Sequence, residues 1–513
     1  MSSLAVYRYA GAAVAAYVAY RVLSSVVNHV ATLRRVRRIS PSHKIAHQFI
    51  NPLNRILSMI IPTDWMTWHE NWEWKKGYKQ YREYATDDLI FSVFGGKKYV
   101  FVANPDLAKI IFDRREDFPK PTEIYVLLDI FGPNVVTTGG EIWRRHRKIS
   151  APQFSEKNNM LVHNSTIDVT NEMFRAWDAA AQTTVDGKRE TTIVASDDAM
   201  NLALSVFSAA AYGKPLQWSQ DEATIPKGHK ITLKASLEIM SHHLPVYLIL
   251  PDWAYSLPFT GLASIKTGFS EFVVYMREFI ADAKASGQTK TNLLENLVCA
   301  ADEDIGKLTE TELIGNAFIF MFAGHETTAN ALTFTLAIAA YHPEVQDKLF
   351  AEVSTVLQGR DPEYKDYSSL VYTQAVMNEI LRLFPPVTLI PKCTRTTQQL
   401  GNYTIDSDTE VYIDAATLHR NPKYWGPDPD GFRPDRFLEP YNRNAFVPFS
   451  VGPRACLGQK FAQVEYVCAL ARIVQRYSWR PIPGVTEAEC LEAKSLITLK
   501  TIRPPRVIMV KRE

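Results

Sequence analysis

The sequence predicts a mainly α fold with a small β region, a long central helix and an N-terminal transmembrane helix. Three observations carry this reading. Thr309-Glu-Thr-Glu312 is a capping box, in which a Thr and a Glu three residues apart satisfy each other's free N–H groups. The apolar run behind it continues to about Tyr341, roughly 48 Å of helix at 1.5 Å per residue. Asp88 to Val102 reads as two strands joined by a Gly95-Gly96 hairpin turn. Leu4 to Leu33 is rich in Ala, Val, Tyr and Leu, and is long enough to cross ~30 Å of hydrocarbon.

The chain has 513 residues, 46% of them apolar, ample for a sizeable core. No linker, repeat or composition shift follows residue ~60. The expected organisation is an anchor over 1–33, a basic membrane-proximal segment over 34–63 and one large domain over 64–513. Residues 1–63 hold eight Arg or Lys and no acid, so the rest carries a net −6 and has no charge complementarity to nucleic acid. Arg34, Arg35, Arg37 and Arg38 follow the apolar run, which by the positive-inside rule keeps the bulk of the chain cytosolic. Arg8 and Arg21 interrupt the run, and Arg21 must snorkel or sit near an interface. A cleaved signal peptide or a transit peptide would compete, but the cleavage site is weak and the run too apolar. Five cysteines without a C-x-x-C spacing argue against disulfides, a zinc site and covalent haem attachment.

Trp65, Trp68, Trp72 and Trp74 suit either a membrane interface or a short helix packed on the core. Asn104-Pro-Asp106 opens a short helix, and Gly132-Pro133 breaks the apolar loop Tyr125–Thr138. From Glu141 a helix places Trp143 and Arg147, four residues apart, on one face. Residues ~157–305 read as several helices, with a Pro-punctuated loop or flap between Leu244 and Thr260. The central helix is apolar almost all round, hence buried; Asn316, His325 and Glu326 would be costly in a second membrane span. His325-Glu326 is not a zinc-protease motif, because position 329 is Ala where a second His is needed.

Near the C-terminus stands Phe449-Ser-Val-Gly452-Pro-Arg454-Ala-Cys456-Leu-Gly458, the pattern F-x-x-G-x-R-x-C-x-G, followed by a predicted helix from about Lys460. At this motif the chain resembles the cytochrome P450 family of haem–thiolate monooxygenases. The resemblance implies a P450 fold with the central helix over the haem and Cys456 as the axial iron ligand. Arg454 would pair with a haem propionate, Phe449 would shield the sulfur, and Gly452 and Gly458 would let the backbone wrap it.

Further segments resemble the family's motifs in order, from about Asp88 to the C-terminus. The W-x-x-x-R of Trp143 and Arg147 resembles the propionate-binding helix, with His146 a weaker candidate. Ala323-Gly324-His325-Glu326-Thr327-Thr328 resembles the oxygen-activation segment. It implies Glu326 and Thr327 as the proton route in a locally opened helix, with Gly324 leaving room for O2. Glu379 and Arg382 with Arg436 resemble the buried Glu–Arg–Arg core. Lys392 stands where an Arg or His more often meets a propionate.

The implied reaction inserts one atom of O2 into a lipophilic substrate, and the second atom leaves as water. The implied cofactor is haem b. With no G-x-G-x-x-G fingerprint, electrons would come from NADPH through a separate cytochrome P450 reductase, docking near Arg144, Arg145, Lys148 and Lys460. The anchor resembles the microsomal branch, which implies the endoplasmic reticulum membrane; secondary-metabolite biosynthesis in a fungus is the expected setting. A reductase-independent isomerase or dehydratase and a non-catalytic haem-binding membrane protein are the alternatives. Tyr125, Leu128, Phe318, Phe322, Val387, Thr388, Leu496 and Ile497 are the expected pocket residues.

Overall fold

The computed structural model describes residues 3–41, 43–46, 72–218, 224–257, 261–285, 292–302, 307–495 and 497–512. Helices α1 (Ser3–Ile39), α2 (Pro105–Asp113) and α3 (Gly140–Ser150) come first. Next are α4 (Glu156–Ala180), α5 (Ala195–Tyr212), α6 (Leu233–Ile249), α7 (Leu262–Ala285) and α8 (Leu293–Asp302). The central helix is α9 (Glu310–Ala339), and α10 (Pro343–Leu357), α11 (Val371–Leu383) and α12 (Gln459–Arg476) follow.

The predicted capping box starts α9: Glu312 N–H donates to Thr309 Oγ1 at 3.2 Å, and Thr309 N–H to Glu312 Oε2 at 2.9 Å. From Glu312 to Ala339 every residue is buried except Ala323, Gly324 and Thr327. A helix enclosed on all sides with one short open stretch is a scaffold with a window. The helix is unbroken there, so the expected opened turn is not present. Thr327 and Thr328 hydroxyls donate to the carbonyls of Ala323 and Gly324, at 2.8 and 3.2 Å. Gly324 has a packing reason: a Cβ there would lie 2.9 Å from the Phe207 ring of α5.

Strands β1 (Ile45–Ala46), β2 (Leu89–Phe94), β3 (Lys97–Val102), β4 (Leu389–Cys393) and β5 (Thr409–Asp414) form a sheet in the order β1-β2-β3-β5-β4. The β2–β3 hairpin turns through Gly95 (φ +55°) and Gly96 (φ +89°), a primed turn that favours two glycines. A second, antiparallel sheet joins Tyr477–Pro481, Arg506–Lys511, Arg189–Val194 and Gln182–Thr183. Its strands inside 157–305 interrupt the predicted helical run. Arg189–Val194 pairs with a strand some 300 residues away, so local periodicity carries little trace of it. The expected loop from Leu244 starts as helix instead, since α6 runs through Pro245 to Ile249. Asp252–Ser256 follows as a 3-10 turn, with Tyr255 Oη donating to the carbonyls of Val246 and Tyr247.

Buried ion pairing fixes the core beside these elements. Arg382 holds Glu379 with two bonds of 2.7 and 2.8 Å, and Arg436 Nε reaches the same carboxylate at 3.4 Å. Arg382 also donates to the carbonyls of His419, Pro429 and Gly431, which makes it a structural hub.

The N-terminal segment is one helix that continues past residue 33 through Arg34–Arg38. Tyr17, Tyr20, Val22, Leu23, Val26 and Val27 are exposed on it, whereas Val36 is buried. Thr32 Oγ1 donates to Gly96 O, and Arg35 pairs with Asp406, so its last turns belong to the body of the protein. Among the described residues no helix is long and apolar enough to cross a membrane. Trp65 and Trp68 lie outside the described residues. Trp74 packs on Phe384, with the Arg420 guanidinium 4.3 Å over its ring.

Candidate functional site

The window of α9 opens on a cavity of about 360 Å³. Ala323, Gly324 and Thr327 line it, as do Trp143 and Arg147 from α3, Lys392 from β4, and Phe449, Arg454, Cys456 and Gly458 from the segment before α12. Residues hundreds of positions apart are thus brought together.

Cys456 is the one exposed cysteine, and its exposure is to this cavity; Cys299, Cys393, Cys468 and Cys490 are buried. Its N–H donates to Phe449 O at 2.9 Å, closing the turn. The turn needs unusual backbone: Gly452 has φ +79°, which disfavours a side chain, and Ser450 is held at φ +59°. Gly458 is the cap of α12 and needs no left-handed conformation, with φ −88°. Burial pushes the Cys456 thiol up, opposed by the Gly458 N–H aimed at the sulfur and by the Arg147 charge. The N-terminus of α12 adds positive potential in the same direction.

The rest of one wall is cationic. Arg454 donates to Thr138 O at 3.0 Å, with its guanidinium 4.2 Å over the Trp143 ring. Arg147 donates to Ala455 O at 2.8 Å. Trp143 and Arg147 therefore share a cavity-facing side of α3, as their spacing predicted. Lys392 lies above the Phe112 ring at 5.5 Å. Lys120 was not singled out in the sequence. Its Nζ donates to Val136 O at 2.7 Å and sits 3.6 Å over the Tyr125 ring. A lysine fixed between Pro119 and Pro121 was the available signal.

Burial weakens all of these bases, and mutual repulsion weakens Arg454, Lys392 and Lys120 further. Arg454 is lowered to about 10 by burial and by Arg147, and Lys392 to about 8 by burial and by Arg454. Burial, then Arg454 and Lys392, hold Lys120 well below the lysine range. Among the described residues no Asp or Glu lines the cavity. Four basic side chains without a counter-charge, beside a cysteine sulfur, fit a group that carries carboxylates and a thiolate-binding metal.

Glu326 is not part of this cavity. About 100° of helical rotation per residue turns it away from Thr327, into a separate pocket of about 20 Å³ with Ser241, Thr498 and Lys500. Thr498 Oγ1 donates to Glu326 Oε1 at 3.0 Å, and Oε2 has no hydrogen-bond partner among the described residues. Burial raises this carboxyl above the usual range. His325, fully buried, faces Ser241 on α6. Of the expected substrate-pocket residues, Tyr125 and Val387 line the main cavity. Phe318 and Phe322 stack on each other, and Phe318 packs edge-on against Phe131 and Phe272. Leu128 and Thr388 are set back from the lining, Ile497 lies beside Glu326, and Leu496 is outside the described residues.

A cysteine turn with a cationic wall, facing the window of an enclosed helix, defines a haem–thiolate protein. Comparison with known proteins says which: the Cytochrome P450 family model matches residues 65–509, and the chain belongs to that family. It is 37% identical over 450 residues to Cytochrome P450 monooxygenase 124 of Postia placenta, covering 82% of this chain and 85% of that one. Cytochrome P450 monooxygenase prx9 of Penicillium rubens is 29% identical, over 79% of this chain and 78% of its own. Cyclooctat-9-en-7-ol 5-monooxygenase of Streptomyces melanosporofaciens is 28% identical, over 78% and 84%. The protein is a haem–thiolate monooxygenase that uses O2, electrons from a redox partner and a lipophilic substrate. The isomerase and non-catalytic readings are not favoured.

Proposed function

We propose that Cys456 is the axial thiolate of haem b and that the cationic wall holds the two haem carboxylates. The observation that carries this is the single cavity-facing cysteine beside Arg147, Arg454, Lys392 and Lys120, with no acid among the lining residues. When bound, thiolate-ligated haem supplies O2 activation. The chain's own residues do the rest. Arg454, stacked on Trp143, and Arg147 orient the carboxylates, with Lys392 and Lys120 beside them. Phe449 covers the sulfur, Gly452 permits the turn, and the Gly458 N–H favours the ionised sulfur. Thr327 Oγ1, the hydroxyl at the window, steadies and passes protons; burial raises the Glu326 carboxyl, and its unpartnered Oε2 is the atom placed to take one up. Delivery requires its carboxyl to leave Thr498 and turn toward the cavity.

The fungal relatives, and a relative named for oxidising cyclooctat-9-en-7-ol, support a hydrophobic secondary metabolite as substrate. An NADPH–cytochrome P450 reductase is the proposed donor, docking over Arg144, Lys148 and Lys460. Arg144 pairs with the exposed Glu141 and stays at the surface, whereas Arg145 is drawn to the largely buried Glu312 and the Lys307 carbonyl and is withdrawn from that face. The stretch of α1 from Tyr17 to Val27, with its exposed apolar side chains and the Arg34–Arg38 cluster behind it, supports attachment to the endoplasmic reticulum membrane, single-pass with the large domain cytosolic. Carbonate extraction and protease protection distinguish a crossing helix from one seated on the surface. The haem assignment is tested by the reduced, CO-treated spectrum. Wild type should show the red-shifted thiolate band and Cys456→His should lose it; an unchanged band in the variant would move the ligand to another residue.

A further inference from the structure

His146 lies on α3 between Trp143 and Arg147 but points away from the cavity and is fully buried. Its Nε2 is 3.2 Å from Glu312 Oε1, and its Nδ1 is 2.9 Å from Asn316 Nδ2. An amide nitrogen only donates, so Nδ1 accepts and Nε2 carries the proton toward Glu312. Asn316 is oriented by the same logic. Its Oδ1 accepts the Val135 N–H at 3.0 Å, while Nδ2 also donates to Glu312 O at 2.7 Å. Exchanging O and N would set N–H against N–H at Val135.

Val135 and Val136 line the cavity, and their loop presses on the central helix without room for a side chain. A Cβ on Gly315 would lie 2.5 Å from Gly132 O, and one on Gly132 2.5 Å from Thr311 Cγ2. The same loop carries the Val136 carbonyl that Lys120 holds and the Thr138 carbonyl that Arg454 holds. One buried trio thus touches the helix bearing Trp143 and Arg147, the helix bearing Thr327, and the loop supporting two cations of the wall.

We propose that His146 and Asn316 are positioning residues that lock the cationic face of α3 and the cavity loop 132–138 to the central helix as one body. Neither side chain touches the cavity. Both act through the Val135 amide and through the seat of α3, so the cofactor wall and the substrate-side wall keep a common register. The two nitrogens of His146 have separable roles: Nδ1 orients Asn316 and hence the loop, and Nε2 ties α3 to Glu312.

The test uses the haem-loaded enzyme and four variants: His146→Phe, His146→Asn, His146→Gln and Asn316→Leu. Amide hydrogen exchange is followed by peptide, 4-phenylimidazole binding by its difference spectrum, and haem loss by transfer to apomyoglobin. In His146→Phe and Asn316→Leu, exchange over 132–138 should rise about tenfold, as expected for one lost buried hydrogen bond. Exchange in the Tyr477–Pro481 and Arg506–Lys511 strands should stay unchanged. Azole binding should weaken and haem leave faster, each by roughly three- to tenfold. His146→Asn, which keeps an acceptor near the Nδ1 position, should recover most of the loop protection. His146→Gln, which keeps only the donor to Glu312, should not. Unchanged loop exchange in both disruptive variants would overturn the proposal, as would equal behaviour of the Asn and Gln variants. So would a uniform rise across all peptides, which marks a merely structural role. If His146→Phe does not fold, the Asn, Gln and Leu variants decide.

Discussion

Replacing Gly315 with Ala tests how tightly the cavity loop is held on the central helix. The new Cβ would lie 2.5 Å from Gly132 O and 2.9 Å from both Gly132 C and Pro133 O, all backbone atoms. Ordinary contact begins near 3.4 Å, so the loop must retreat by about 0.9 Å. Moving Val135 N that far from Asn316 Oδ1 stretches a 3.0 Å bond beyond hydrogen-bonding range. Overpacking costs about 1–3 kcal/mol, and a buried N–H left without a partner about 1–3 kcal/mol more. Ala in place of Gly in a helix returns roughly 0.5–1 kcal/mol. The net loss is about 1–5.5 kcal/mol, centred near 3, a large share of the ~5–15 kcal/mol that holds a typical domain together. Urea unfolding of the haem-loaded enzyme, followed by circular dichroism and by the haem band, measures it. Gly139→Ala is the comparison. There the nearest atom is Thr122 Cγ2 at 3.2 Å, a side-chain methyl that has to give by only a few tenths of an ångström, and the loss should stay near or below about 1 kcal/mol. A Gly315→Ala protein as stable as wild type, or more stable, would show that the loop yields freely and refute the reasoning.

Thr327→Ala removes the hydroxyl at the helix window, so product per NADPH should fall and hydrogen peroxide rise, with a loss of ~10²–10³ in productive rate. Thr333→Ala is the control, because Thr328 also lines the cavity whereas Thr333 does not; equal coupling in both variants would remove Thr327 from the proton route. Asp198 carries a carboxyl raised to about 6 by burial, so its favourable contribution is complete below about pH 4 and is lost as pH rises through 6. Asp198→Asn should therefore be more stable than wild type by about 1–2 kcal/mol at pH 7.5, discounted for residual solvent, and equal near pH 4. A pH-independent difference in melting temperature would count against this. Removing residues 1–20 should weaken membrane association and leave unfolding unchanged, since Thr32, Arg35 and Val36 keep their contacts. Removing 1–38 should also cost about 1.5–3 kcal/mol for Val36, plus about 1 kcal/mol for the pair between the half-exposed Arg35 and the buried Asp406, which keeps Lys98 as a partner; identical denaturation curves for the two truncations would contradict it.

Much of this was legible one segment at a time. The capping box at Thr309, the two-glycine hairpin, the same-face pairing of Trp143 with Arg147 and the Cys456 turn are each local, set by neighbours within about ten residues. Local hydrogen bonding and helical or strand periodicity determine them, and any chain carrying those residues expresses them. Tertiary structure decided what touches what. Glu326 and Thr327 are adjacent in sequence yet open on different pockets, because a helix enclosed on every side sends consecutive side chains into different neighbours. Gly324 is small because of Phe207, more than a hundred positions away, and Lys120 joins the cationic wall only when its loop meets Arg454 and Lys392. Likewise His146 faces Glu312 and Asn316 instead of the cavity, and Arg189–Val194 is a strand because Arg506–Lys511 lies beside it. These outcomes depend on long-range packing, which a linear pattern does not encode residue by residue. Residue types and their local spacing set the chemistry that the chain can hold; long-range packing sets which side chains meet it.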